Sequence, residues 1–538
     1  MTSATKVEKR VEKRDKKTKG ISEGIGEGNS EGNSEGNSVG NSVGNSEGNS
    51  VGNSVGKAAK GRHHHGPPVG RSTLRVLHVL SQRPSLTGSG VTLDALVTGG
   101  RDHGVEACAV VGVPSDEPGP YVQSLPRQRV FPVFFDGPEL PFPVPGMSDV
   151  MPYPSTRFSC LAPDQVERYR RIWRETIHRA CLDFKPHVIH SHHVWLVSSL
   201  VKDVAPDLPQ VIHCHATGLR QMELCPHLKE DVLRGCRRAQ AFCVLHQGHA
   251  ETLRNELASL EDVSSSLPTP EVHVVGAGYR QDLFHMNPTT GASGARAFPN
   301  RKNDENRHHE EPPKLVYVGK YSAAKGLPQL LEAFPRLSRR HPGLELHVAG
   351  SGAGQEAQRL KEQMDAMAPP PKDPRPASGF EVQRGGVIQH GMLDQPSLAA
   401  LLRRCHVCVL PSFYEGVPLV LVEALACGCR LVSTALPGVV ESLAAPLGDA
   451  LTLVEPPAME WVDRPRADDL PAFVDRLVEA CSESLSRGDL RLIPSRSVTQ
   501  RLEPFTWRAV FHRVERVWRP LAEERGPALL LDPTFNPT

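Results

Sequence analysis

The stretch PSFYEGVPLVLVEALACG, residues 411–428, joins a strand end and a turn to an almost wholly apolar run, yet it carries two carboxylates, Glu415 and Glu423. Pro418 suits the first turn of a helix, where its missing N–H costs nothing. Gly428 suits the left-handed stop. Between them the chain is apolar on every side except at Glu423, so this acid is expected to be enclosed and to need a donor. Glu415 falls just past the strand, at the mouth of the helix, beside the amides of Gly416, Val417 and Leu419. Eight residues at a helical rise of about 1.5 Å set the two acids about 12 Å apart. A hydrolytic carboxylate pair works across about 5–9.5 Å. Acids at the wider spacing suit the two ends of a long hydroxyl-bearing ligand, such as a sugar joined to a nucleoside by a diphosphate. The competing structural reading makes Glu415 a helix-dipole partner and gives Glu423 a structural bond.

On either side of this stretch the chain has a strand–helix rhythm. LRVLHVL, VEACAVVGV, PHVIHSHH, PQVIHCHA, AQAFCVLH and EVHVVGAGY are short β-branched runs separated by helical patterns, beginning at residue 74. The rhythm restarts with KLVYVGK, LELHVAGSG, VIQHGML, VCVLPS, RLVSTALPG and ALTLVEP. Such alternation predicts an α/β protein with two doubly wound parallel-sheet units facing across a cleft. Ligands in open α/β sheets lie beyond the carboxyl ends of the strands, so the functional residues are expected just after them. The expected domains are 72–285 and 314–504, with a closing helix at 505–523. Residues 1–71, built on a mixed-charge opening and EGNS/VGNS repeats, are expected to form a disordered tail, and 286–313 a disordered insertion. A Pro-rich loop interrupts the second unit at 368–376.

Several segments after strands carry chemistry. VYVGKYSAAKG sets Lys320 and Lys325 before a helix that starts near Gly326, an arrangement suited to a diphosphate; solvated surface lysines are the plainer alternative. SLTGSGVTLDAL places Gly88 and Gly90 between strand and helix, where backbone can approach a phosphate, and Gly350 and Gly352 mark a similar turn. His215 ends a strand and points to the cleft. His192 and His193 are read as packing residues, and Arg220 as a candidate partner for an anionic acceptor. The closing segment FTWRAVFHRVERVWRPL repeats Trp507, Val510, Phe511, Val514, Val517 and Trp518 at helical spacing, with Thr506 as N-cap and Arg508, Arg513, Arg516 and Arg519 opposite. Packing on a neighbouring domain is the preferred reading of this stripe, and lying on a membrane the second.

Bulk properties narrow the classes further. The 538 residues exceed one ordinary core, and a net charge of +1 offers no general reason to expect nucleic acid or an anionic membrane. No apolar run reaches the roughly 18 residues of a spanning helix, and the charged N-terminus has no apolar signal core. A soluble, cytoplasmic protein is expected, with peripheral contact at the inner face of the membrane as the variant that the basic helix allows. The twelve cysteines are scattered, and reduced, buried thiols are expected. Cys405, Cys408, Cys427 and Cys429 lie in strand and helix positions that disfavour a zinc site. His63–His65 are a surface run with weak metal potential.

With these residues assembled, the chain resembles the retaining glycosyltransferases of family 4, the "glycosyl transferases group 1" family with the GT-B fold. The likeness runs from about residue 74 to 520. It rests chiefly on the E-x7-E block with its PSFYEG lead and glycine stop, together with VGKYSAAKG, the HATGL strand end and VVGAGYRQDLF. The resemblance implies hexosyl transfer from a nucleotide-diphosphate sugar, UDP- or GDP-linked, to a glycan, lipid-linked or small-molecule acceptor, with retention and without a metal. It also implies roles for single residues. Glu415 would lie beside the donor sugar and reacting phosphate, with the amides of Gly416 and Val417 near the sugar hydroxyls. Glu423 would accept from the ribose, Lys325 and Lys320 would hold the diphosphate, Gly90 would approach the phosphates, and His215 would line the sugar pocket. Two features depart from the family pattern: lysine at 320 where arginine is usual, which removes a bidentate fork, and an expanded loop at 366–385 ahead of VIQHGML, near the base. Nucleotide-sugar epimerisation, phosphorolysis and non-catalytic nucleotide-sugar binding are the alternatives. A dehydrogenase is disfavoured, because the Gly88–Gly90 turn lacks a full G-x-G-x-x-G.

Overall fold

The computed structural model describes residues 73–524, except 85–86, 120, 149–150, 152, 261–268, 287–311, 353, 370–384, 462 and 488–495, and gives 496–497 as backbone only. The expected tail (1–71), nearly all of the expected insertion (286–313), His63–His65 and most of the 366–385 loop lie outside the described residues.

The first sheet has seven parallel strands: β1 (Leu74–Leu80), β2 (Val105–Pro114), β3 (Val130–Phe135), β6 (Val188–His192), β7 (Gln210–Cys214), β8 (Ala241–Val244) and β9 (Glu271–Val274). Their spatial order is β3-β2-β1-β6-β7-β8-β9. A two-residue pair, β4 (Pro145–Gly146) with β5 (Thr156–Arg157), lies in the long connection between β3 and β6. Six of the seven strands fall in the runs picked out above. β3, VFPVFF, was not among them, since Pro132 interrupts it. Proline is tolerated there because β3 pairs on one side only, with β2.

The second sheet is also parallel: β10 (Lys314–Val318), β11 (Glu345–Ala349), β12 (Gly386–Gly391), β13 (Val407–Leu410), β14 (Arg430–Thr434) and β15 (Leu451–Val454), in the order β12-β11-β10-β13-β14-β15. All six had been expected. A short antiparallel hairpin, β16 (Met459–Trp461) with β17 (Arg464–Pro465), follows. Both sheets are covered on two faces, which is why their strands read as nearly continuous apolar runs. In β1, Leu77 and Val79 pack into one core with Ile189, Ile212 and Trp173. Leu74 and Val76 pack into another on the opposite face.

That second core receives the closing helix, Trp507–Glu523. Val510, Phe511, Val514, Val517 and Trp518 are buried against Val76, Val105, Val188 and Val211 of the first sheet. The stripe is therefore spent on packing. Two of the arginines opposite it are also committed: Arg513 donates to the carbonyls of Val275 and Pro504 (2.7 Å each), and Arg519 pairs with Glu515 (2.7 Å). Thr506 caps the helix, accepting from Ala509 N–H at 3.2 Å. The outgoing and returning crossings between the domains lie side by side, joined where Tyr279 N–H donates to the Phe505 carbonyl at 2.8 Å. No helix among the described residues is long and apolar enough to cross a membrane.

Each sheet changes direction once. The first switches between β1 and β6 and the second between β10 and β13. At such a point the two adjacent connections leave towards opposite faces and open a crevice at the carboxyl ends.

Candidate active site

Lys325 follows β10 and Glu415 follows β13, so the switch point of the second sheet brings both to one crevice. Lys325 Nζ lies 2.7 Å from Glu415 Oε1 and donates to the Tyr414 carbonyl at 3.1 Å. Ser412 Oγ donates to the same carboxylate oxygen at 2.8 Å. The two side chains keep 24% and 17% of their exposure, so the pair is sheltered but reachable. The turn that aims Lys325 depends on Gly326. Its φ is +67°, and a Cβ there would fall 1.9 Å from the Pro411 carbonyl oxygen, which only glycine avoids. Lys320 occupies the same turn, half-buried, its carbonyl accepting from the Tyr317 hydroxyl at 2.7 Å.

The helix after Glu415 runs Leu419–Ala426, with Pro418 at the cap position itself, one residue ahead of the expected place. Gly428 takes φ +92°, as the glycine stop requires. The N–H groups of Gly416 and Val417 donate to no group among the described residues, so the mouth of this helix presents donors. Glu423 lies inside the helix, half-buried, and desolvation pushes its carboxyl up to about 7. The donor that its burial calls for is not supplied by a side chain of the described residues.

The first domain presses on this crevice. Tyr414 Oη donates to the Ala216 carbonyl at 3.1 Å, and a Cβ at Gly416 would meet Leu245, Ala216 and His249 at 3.0–3.5 Å. Glu441 accepts from Gly248 N–H at 2.9 Å and pairs with His246 Nδ1 at 3.0 Å. Arg220 pairs with Asp463 beside the β16–β17 hairpin at 2.8 Å. Arg220, read as a candidate partner for an anionic acceptor, is engaged in this structure by the opposite domain. His215 caps the helix Ala216–Leu224 directly after β7, at the facing strand end, as expected.

Around the β1/β6 switch the first domain adds a polar group of its own. Gln82 Oε1 accepts from Ser89 Oγ at 2.8 Å and lies 3.1 Å from His193 Nε2. His193 holds φ +73°, an uncommon value for a residue with a side chain. Gly88 and Gly90 open the helix Gly88–Arg101, and the Gly90 N–H is capped by Thr87 Oγ1 at 3.2 Å. Its amide is therefore already used, and what Gly90 offers a ligand is the close approach its missing side chain permits. Gly350 and Gly352 serve packing: a Cβ at either would strike the turn after β10, at Gly319 O (1.8 Å) and Tyr321 O (2.8 Å).

His215 also belongs to a larger group. His78, His190, His192 and His213 lie on neighbouring strands, with His78 opposite His190 and His192 opposite His213, and His215 directly follows β7. The rings of His192, His213 and His215 stack within 14° of parallel at 4.6–5.9 Å. Trp518 Nε1 closes the far end, donating to His190 Nδ1 at 2.9 Å. Burial first, and for all but His213 mutual charge after it, holds all of them below the usual imidazole range. The structure keeps His193 buried, with Gln82 and Thr217 as hydrogen-bond partners, and places Gln82, Tyr414 and Glu441 around the crevice. The repeated H-x-H of VIHSH and VIHCH was the sequence signal for the stack. Nothing local marked Tyr414 or Glu441, whose partners are about 200 residues away.

Comparison with known proteins accords with this geometry. Residues 312–463 match the family model described as glycosyl transferases group 1, and residues 87–263 match the glycosyl transferase 4-like domain. A glycogen synthase of Mycobacterium tuberculosis is 32% identical over 263 residues, covering 48% of this chain and 55% of that protein. The chain thus spans about half the length of the curated relatives it matches first. Among solved structures, a sucrose-phosphate synthase from Thermosynechococcus elongatus aligns over 84% of this chain and all of its own, with TM-score 0.55 and 14% identity. A trehalose-phosphate synthase from Burkholderia xenovorans aligns over 83% of this chain and all of its own, with the same TM-score and identity. The two Rossmann-like domains, the E-x7-E helix at the switch point and both family matches lead to one assignment: the chain belongs to the group 1 glycosyltransferases, family 4, and has the GT-B fold.

Proposed function

We propose that the protein transfers a sugar from a nucleotide-diphosphate donor, UDP- or GDP-linked, to an acceptor hydroxyl, with retention of anomeric configuration and without a metal at the diphosphate. The observation that carries this reading is the Lys325–Glu415 pair at the second switch point, with the amides of Gly416 and Val417 beside it and His215 at the facing strand end. In this reading Lys325, Lys320 and the helix amides neutralise the departing diphosphate, the place a divalent cation would otherwise take. Glu415 orients the sugar, Glu423 accepts from the ribose hydroxyls, and Gly90 admits the phosphates from the first domain. The leaving phosphate oxygen takes the acceptor proton on the face it vacates. The relative named for making glycogen favours a glycan acceptor, over lipid-linked and small-molecule alternatives.

The test is incubation of the full chain with labelled UDP- and GDP-sugars and oligosaccharide acceptors, with and without EDTA. Transfer that survives EDTA and keeps the donor anomer is the expected result. A strict requirement for added Mg²⁺ or Mn²⁺ would overturn the metal-free step. Failure with every donor, despite nucleotide binding, would replace the enzyme with a binding protein.

Glu423 adds a proton-linked signature. With its carboxyl near 7 in the free protein, it is mostly protonated at pH 6. Ribose hydroxyls donating to it favour the ionised form. Binding of UDP or GDP at pH 6 is then expected to release close to one proton, read as a buffer-dependent heat in titration calorimetry. The affinity should rise as pH increases towards 7. Glu423→Gln removes both effects; a wild-type heat independent of buffer would sink the ribose assignment.

A further inference from the structure

A second cluster lies at the other end of the first sheet. His103 sits in the turn between the helix Gly88–Arg101 and β2, at the amino end of the strand and so away from the crevice. His512 and Glu515, three residues apart on the closing helix, face it. His103 Nδ1 is 3.7 Å from Glu515 Oε2, and His512 Nδ1 is 3.5 Å from the same oxygen. Both separations exceed a hydrogen bond, which for N–H···O spans about 2.7–3.2 Å. The carboxylate is not held back by its own geometry, since its other oxygen, Oε1, bonds Arg519 at 2.7 Å. Two imidazole nitrogens thus gather around one carboxylate oxygen of a buried glutamate, beyond hydrogen-bond range.

Two of the three separations come close to the spacing a tetrahedral cation imposes. Metal–nitrogen and metal–oxygen bonds of about 2.0–2.2 Å put neighbouring ligand atoms about 3.3–3.5 Å apart. The three ligand atoms all lie within 4.8 Å of one another, and this is the one such group of histidine, cysteine or acidic side chains among the described residues. Arg519 supplies the outer support: it holds Glu515 Oε1 and also donates to the His103 carbonyl at 2.8 Å, fixing carboxylate and turn together. The His103 and His512 side chains keep 30% and 40% of their exposure, whereas Glu515 keeps 7%. The outer side is therefore open to a water as fourth ligand. Imidazole with carboxylate suits zinc or its borderline neighbours, and not calcium or magnesium.

We propose that His103, His512 and Glu515 form a divalent transition-metal site, zinc by ligand class, that ties the closing helix to the first domain. The helix begins next to the paired crossings between domains, so its anchoring steadies the point from which the second domain is hung. The proposed metal does not face the donor, and the site stands whether or not the transfer reading does.

The test uses the full chain with His63→Ser, His64→Ser and His65→Ser, which removes the histidine run of the tail as a competitor. Zinc is titrated against a chromogenic chelator, and melting is followed in parallel. The expected result is one equivalent of Zn²⁺ per chain and a melting rise of about 2–4 °C at a hundredfold excess over the dissociation constant. His512→Ala should abolish both, and His103→Ala should weaken binding at least tenfold. Both residues are half-exposed, so each variant should melt like the parent when zinc is withheld. Zinc binding that is unchanged in either variant, or absent from the tail-substituted parent, would overturn the site.

Discussion

Replacing Lys325 by alanine is expected to lower turnover about 10²–10³-fold at saturating donor, the usual cost of removing one fixed charge from a developing anion. The loss should not come from unfolding. The Lys325–Glu415 pair keeps 24% and 17% of its side-chain exposure, and partly solvated pairs contribute only about 0–1 kcal/mol to stability. The melting temperature should therefore move little while kcat collapses. Glu415→Ala provides the partner experiment: transfer is expected to vanish while UDP or GDP still binds, because its carboxylate lies at the sugar end and Glu423 at the nucleoside end in the proposed pose. If Lys325→Ala stayed within fivefold of wild type, the proposal that this ammonium stabilises the leaving group would fail. The turn leaves little room for relocation, since Gly326 and the Pro411 carbonyl are in contact behind it.

Acid should dismantle the first domain at mildly acidic pH. Burial first, then charge on His213, holds His78 and His193 at about 3, and burial holds His213 at about 4. His190, His192 and His215 are depressed in the same sense. In the unfolded chain each would titrate near 6.5. Between that value and the folded one, the unfolded state binds more protons than the native state, so stability falls as pH falls. By pH 5 each neutral buried ring costs about 2 kcal/mol relative to its unfolded form, from about 1.4 kcal/mol per pH unit. Four such rings approach the whole of an ordinary stability of about 5–15 kcal/mol. Glu423 works in the opposite direction: its raised carboxyl makes the native state lose about 3 kcal/mol as pH rises from 4.5 to 7. One acid does not offset six histidines. Cooperative loss of tryptophan fluorescence structure, centred near pH 5 with uptake of several protons, is the expected observation; a stability flat from pH 7 to 5 would contradict it. Trp173, Trp195 and Trp518 report on this domain because all three are buried in its cores.

How far the sequence could be read varied with the range of the interaction. Strands β1, β2 and β6–β15 announced themselves because a buried parallel strand must be apolar on both faces, a property of four to ten adjacent residues. β3 escaped notice because its edge position tolerates a proline that a central strand would reject. The glycine stop at 428 and the cap at Thr506 were legible for the same local reason. Glu415 and Lys325 were legible as residues following strands, but their 2.7 Å contact depends on β10 and β13, which are far apart in sequence, being neighbours in the sheet. The pairing of Arg220 was not legible because its partner, Asp463, belongs to the other domain.

Local pattern, then, determined the two doubly wound sheets, the packing stripe of the closing helix and the set of charged residues placed after strands. Periodicity and turn chemistry are short-range properties that each segment carries with it. Tertiary structure alone decided which of those residues meet: Lys325 with Glu415, Tyr414 with Ala216, Glu441 with His246 and Gly248, and His103 with His512 and Glu515. Strand order sets those meetings, and strand order follows from how whole helices and sheets bury their apolar faces together, which no window of neighbouring residues contains.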